Sequence, residues 1–159
     1  MLDFRTILLI YFPVMSLAAY SGLALLGIRI KLVPAVLAGI TAGTMDYFVR
    51  MTYVPLGIPP LLDLPLMVLI LAIVLKFFTK ESWMAVTGGS ILSYILISVG
   101  DLVIFPMTLS ILGITIEQLV KDIWLALMAG YANSLLLIIS SLLSFFYKFK
   151  IIDLSSMRK

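Results

Sequence analysis

The sequence predicts an all-α, polytopic membrane protein: one bundle of five transmembrane helices with the N-terminus out and the C-terminus in. Three observations carry the fold. The 159 residues are 63% hydrophobic and only 12% charged, against about 25% charged residues in a soluble domain. Such a chain lacks the polar side chains to cover a wet surface, so its solvent is lipid. The apolar residues form long unbroken runs and do not alternate. That selects helices over a closed barrel, the other structure that satisfies its own backbone in lipid. At roughly 20 apolar residues per crossing, the runs allow five crossings within residues 1–150 and leave 151–159 as a cytoplasmic polar tail.

The first span covers about 6–28. Arg5 and the small residues from Ser16 to Gly22 resemble parts of a signal peptide. The apolar run of about 22 residues exceeds the 7–15 of a signal core, so it reads as a retained helix. Pro13 bends it or sits in its first turns. Arg29 and Lys31 mark a short turn, and the second span follows at about 32–53, with Pro34 in its first turn. Ala35, Gly39 and Gly43 recur every four residues, a small-residue face on which helices approach closely in lipid. Asp46 and Arg50 have the spacing of a helical ion pair.

Val54 to Pro65 (VPLGIPPLLDLP) reads as a loop, with Asp63 placed to cap the third span at about 64–78. The fourth span, about 83–105, opens at an interfacial tryptophan, Trp83, and carries Asp101 near its far end. Thr87, Ser90, Tyr94, Ser98 and Asp101 recur at three or four residues, so they make one polar stripe. A stripe ending in a carboxylate should face other helices or a wet cavity. Pro106 is expected to interrupt this helix, and Gly113 to close a short interfacial segment. Thr115 and Gln118 match a capping box. One long fifth helix, about Ile116 to Lys148, should follow, crossing at about 123–147 with Gly130 as a candidate bend.

The orientation follows from the basic residues. With five crossings, Arg29, Lys31, Lys76, Lys80, Lys148, Lys150, Arg158 and Lys159 share one side, against Arg5, Arg50 and Lys121 on the other. The positive-inside rule makes the richer side cytoplasmic. The acids divide the opposite way: only Glu81 and Asp153 lie on the basic side.

The absence of cysteine and histidine excludes disulfides, thiolate metal sites, and histidine-based triads and zinc sites. No phosphate-cradling glycine motif is present. The two acids inside spans raise the possibility of an intramembrane aspartyl protease. The surrounding residues, Ser98-Val99-Gly100-Asp101 and Met45-Asp46-Tyr47, depart from the Gly-x-Gly-Asp and Tyr-Asp motifs of that class. Structural readings compete at each acid: an Asp46–Arg50 ion pair, and Asp101 held by a hydroxyl or a helix end. The functional reading is that Asp46, Asp63 and Asp101 converge on an outer pocket for a cation, a proton or a cationic ligand. Arg50 stands beside it, and Tyr94, Tyr47 and Asn133 line it.

The run from Tyr53 to Gln118 has a particular order. A VPLGIPP loop leads to an aliphatic helix ending LKFFTKESW, then to a helix ending DLVIFP, then to LGITIEQL. It resembles the membrane-embedded N-terminal region of sensor histidine kinases of Firmicutes-type bacteria, those with a GHKL-type ATP-binding domain. The likeness extends to the last helix and its exit, KFKIIDLSS. It implies a five-helix input region whose last helix runs into a cytoplasmic kinase region. This chain has no phosphoacceptor histidine and no ATP-binding boxes. The resemblance therefore implies the sensory part alone or a stand-alone relative.

The expected function is a non-enzymatic sensory or regulatory input module in the cell membrane, working without a cofactor. Its expected partners are the bilayer, a second copy or a downstream kinase region, and a small cationic or peptide ligand, but no nucleic acid. The alternatives are the substrate-binding membrane component of an energy-coupling-factor transporter and a membrane scaffold.

Overall fold

The computed structural model describes residues 5, 7–53 and 63–153. The expected loop at 54–62 and the tail from 154 onward lie outside the described residues. The described chain is all helical, with no strand. A π-helical segment, Ile7–Tyr11, leads into α1 (Phe12–Leu25). Helices α2 (Leu32–Tyr53), α3 (Asp63–Thr79) and α4 (Trp83–Val99) follow. A second π-helical segment, Gly100–Ile104, joins α4 to α5 (Phe105–Leu112). The chain ends in α6 (Ile116–Lys121), α7 (Ile123–Asn133) and α8 (Leu135–Tyr147).

Three stretches, Leu8–Leu25, Leu32–Val49 and Trp83–Leu112, are long and apolar enough to cross a membrane. The pair α7 and α8 makes a fourth if its 52° bend lies within one span, and Leu64–Thr79 is a shorter apolar helix.

Helix α1 is the hub, packed against α2, α4 and α8, while α3 packs on α2 and α4. Its inward residues are small. Gly22 meets Gly89 of α4 so closely that a Cβ on Gly22 would lie 2.1 Å from the Gly89 carbonyl oxygen. One turn away, Ser93 donates to the Ala18 carbonyl at 2.6 Å. On the other side Gly39 of α2 rests on Ser16, where a Cβ would lie 2.3 Å from the Ser16 Cα. The small face expected from Ala35, Gly39 and Gly43 is thus a helix contact. The outside carries the large apolar side chains, among them Val33, Phe48, Leu69, Phe77 and Leu102. Small residues inside and large apolar ones outside suit lipid, where close backbone packing holds helices together.

The ends are tied by ordinary means. Gly27 takes a left-handed conformation (φ 76°) after α1, and the Ile28 N–H donates to the Leu23 carbonyl at 2.9 Å. That closes a Schellman turn. Ser82 caps α4 by accepting from the Ala85 N–H. At the turn before it, Lys76 Nζ donates to the Glu81 carbonyl at 2.5 Å and lies 5.9 Å from the Trp83 ring centre. After α8 the Ile151 N–H donates to the Leu25 carbonyl at 2.8 Å, so the chain leaves beside the end of α1.

Three expectations are corrected. Pro106 does not end the fourth span at 105: the helix continues from Trp83 to Leu112. The Phe105 N–H bonds the Gly100 carbonyl, five residues back, so the ladder widens into a π turn just before the proline. A proline removes one α-type bond and crowds the preceding turn, and the wider turn relieves that. The helix stops instead at Gly113, left-handed at φ 64°.

The long fifth helix is broken twice. Asp122 is extended and caps α7 by accepting from the Trp124 N–H at 2.8 Å. The bend falls at Ser134, not at Gly130. Ser134 donates through both its N–H and its Oγ to the Gly130 carbonyl, a back-bonding that bends helices. Gly130 instead packs on Ile10. Finally, the polar stripe is not continuous: Ser90 and Tyr94 are buried, Thr87 is exposed, and Ser93 carries the interhelical bond.

Candidate functional site

The site lies at the end of the bundle where α1 begins and α2 and α4 end. Each of these helices brings its side chains there for a reason of register. Asp46 and Ala42 are four apart on α2, so the carboxylate continues the inward face and is buried at 1% exposure. Tyr94 lies one turn beyond Ser90 on the inward face of α4 and is 7% exposed. Asp101 lies seven residues, about two turns, beyond Tyr94 and is exposed, at the open edge of the site. It sits in the π turn, where Asn133, at the end of α7, donates from Nδ2 to its Oδ1.

These groups line one cavity of about 210 Å³. Its wall consists of Ile10, Tyr11, Val14, Met15, Asp46, Tyr94, Ile97, Asp101, Gly130, Asn133 and Ser134. Four of the six residues singled out from sequence, Asp46, Tyr94, Asp101 and Asn133, therefore meet in one place. The side chains of the other two, Arg50 and Asp63, lie outside the described residues, and with them the expected Asp46–Arg50 pair and the Asp63 cap. Tyr47 is not in the wall; its ring stacks edge-on against Phe48.

Three irregularities of the backbone surround the cavity: both π turns and the bend at Ser134. Regular helices with small residues at their contact would close on one another. Here the π turns supply Ile10, Tyr11 and Asp101, and the bend supplies Asn133 and Ser134. Gly100 lets the end of α7 come this near, since a Cβ there would lie 2.2 Å from the Asn133 carbonyl oxygen. Tyr94 Oη reaches Met15 Sδ at 3.9 Å. On the flank, Tyr131 Oη donates to the Leu9 carbonyl at 2.7 Å and ties α7 to the first π turn.

Sequence reasoning missed Tyr11, Met15 and Ser134. Tyr11 carried a usable signal. It lies two residues before Pro13, as Ile104 lies before Pro106, and both prolines follow a π turn.

Chemically, the wall offers two carboxylates, the oxygens of Asn133 and Ser134, and two tyrosine rings. Paired acids beside aromatic faces suit a small cation, an organic ammonium above all, through charge and cation–π attraction. Among the described residues no three acids come close enough to share a metal ion. Comparison with protein-family models, with curated proteins and with solved structures finds no match for this chain.

Proposed function

We propose that the protein is a membrane-embedded sensory input module that binds a small ammonium-type ligand in the Asp46–Asp101 cavity. It passes the event along α8 to the cytoplasmic side. The observation that carries this reading is the convergence of Asp46, Tyr94, Asp101 and Asn133 on one cavity walled by the bend between α7 and α8. A ligand engaging Asp101 engages Asn133 with it, and so biases the angle of that bend. A two-state element of this kind moves only as far as the ligand prefers one state. α8 leads from the cavity to the opposite end, where the chain bonds back to α1 at Leu25. If α3 and the bent pair both count as spans there are five crossings, and the positive-inside rule then favours the N-terminus out and the basic end in. The order of segments from Tyr53 to Gln118, similar to that of sensor-kinase membrane regions, supports the same reading.

A second reading has its own observation. A helix broken beside a polar cavity is how many transporters build substrate sites, and α7 and α8 are such a pair. That favours a substrate-binding membrane component.

One experiment separates the two. The chain has no cysteine, so single cysteines at Lys80 and Lys150 can carry spin labels in nanodiscs. Methylammonium, ethanolamine and choline are then titrated. A saturable distance change, lost in Asp101→Asn, supports the input module. Accumulation of the amine in proteoliposomes, without that change, supports transport. No binding by any of the three cations overturns both.

A further inference from the structure

A second cavity lies at the other end of the bundle and differs in every respect. It is a groove of about 360 Å³ between α2 and α8, floored by α1. Leu17, Tyr20, Leu32, Leu142 and Phe146 are among its walls, so it is almost wholly apolar. Two serines also line it: Ser16, whose Oγ donates to the Phe12 carbonyl, and Ser141. Ser141 faces the groove, is 6% exposed, and its Oγ has no hydrogen-bond partner. On the same helix Ser140 bonds the Leu137 carbonyl, while Ser21 and Ser144 are also buried without a partner but do not line the groove. The rim is basic. Lys31 adjoins Leu32, Lys148 follows Phe146 by two residues, and Arg29 and Lys150 stand on the same two chain turns. Among the described residues Arg29, Lys31 and Lys148 form no ion pair, while Lys150 pairs with Asp153.

We infer that this groove is a specific site for an anionic phospholipid of the cytoplasmic leaflet. The acyl chain lies between α2 and α8, and Ser141 donates to an ester carbonyl. Lys31 and Lys148 hold the phosphate. Ser141 lies seven residues before Lys148, about 10 Å along the helix, so the hydroxyl sits below the headgroup level and the lysine at it. Lysines near a helix end extend toward the interface, where anionic lipid concentrates. The site goes beyond the ligand cavity and needs only that the chain is membrane-embedded with its basic end at an anionic leaflet. An occupant wedged between α2 and α8 would also set where α8 stands.

The test uses the full chain purified in detergent with equal amounts of phosphatidylglycerol and phosphatidylcholine, and reads retained lipid by native mass spectrometry. Phosphatidylglycerol should be preferred by roughly fivefold for each lysine that meets the phosphate. Lys31→Glu with Lys148→Glu should abolish the preference. Val36→Trp and Leu142→Trp fill the groove from positions that are partly exposed, and should lower retention of both lipids. Two variants guard against one misfolding, and circular dichroism checks each. Equal retention of the two lipids by the unaltered chain overturns the inference. So does a preference that survives both tryptophan variants. Full displacement by inorganic phosphate would mean a headgroup site without the groove. A dimer lost in Val36→Trp would mean a second copy fills it. Either result also overturns the lipid site. Asp46→Asn should leave lipid preference unchanged, which separates this outcome from that of the ligand cavity.

Discussion

Helix α1 makes two kinds of contact along its length. Around Gly22 it crosses α4 with backbones touching, Gly22 on Gly89, and Ser93 donates across the contact to the Ala18 carbonyl. Around Tyr11 and Met15 it meets α2, α4 and α7 through longer side chains and leaves a cavity holding two carboxylates. The crossing is dry and regular; the cavity end is polar and bounded by two π turns and a bend. The difference teaches where lipid-facing helices store a site. Aligned small residues close the gap between helices, and departures from the α ladder hold it open.

Filling the crossing should have the largest effect. Gly22→Leu has no space beside the Gly89 carbonyl and should cost at least about 3 kcal/mol, read as loss of folded protein on thermal unfolding in detergent. A tolerated leucine would mean that α1 is not the hub. Next comes the acid at the other contact. An ammonium ligand at 100 times its Kd should stabilise the protein by about 2.7 kcal/mol. Asp46→Asn should remove that gain while the protein stays helical; an unchanged ligand-induced shift would take Asp46 out of the site.

Gly100→Ala probes the approach that builds the cavity. It should cost about 1–2 kcal/mol by pushing Asn133 away from the π turn, and weaken ammonium binding more than stability. Intact binding would mean that the Asp101–Asn133 contact is not needed. The smallest effect belongs to Ser93→Ala, about 0.6 kcal/mol, the usual size of an interhelical hydrogen bond in a membrane protein. Ligand binding should be untouched, because Ser93 belongs to the dry crossing. A change in binding there would show that the two contacts communicate.

Much of this was legible one helix at a time. A carboxylate in an apolar run is conspicuous, so Asp46 and Asp101 were found without the structure. Tyr94 was found because it lies two turns before Asp101. Ser134 was not found, since a serine among apolar residues looks the same whether it bends a helix or fills space. Asp122 was missed for a related reason. An acid at the start of an apolar run caps a helix only if the backbone before it is extended, and Lys121 and Ile123 do not announce that.

The sequence by itself determined the helical class, the long apolar runs that suit a membrane, and the small packing faces. All of these are local or additive: charge content, run length, spacing along one helix. Only the tertiary structure decided that α1 stands in the middle and that Pro106 widens its helix without ending it. It also brought Asp46, Tyr94, Asp101 and Asn133 to one cavity. Those outcomes depend on which faces of different helices meet. Apolar faces in lipid are nearly interchangeable, and the choice among them falls to close contacts such as Gly22 on Gly89 and Gly100 on Asn133, which no single run of sequence contains.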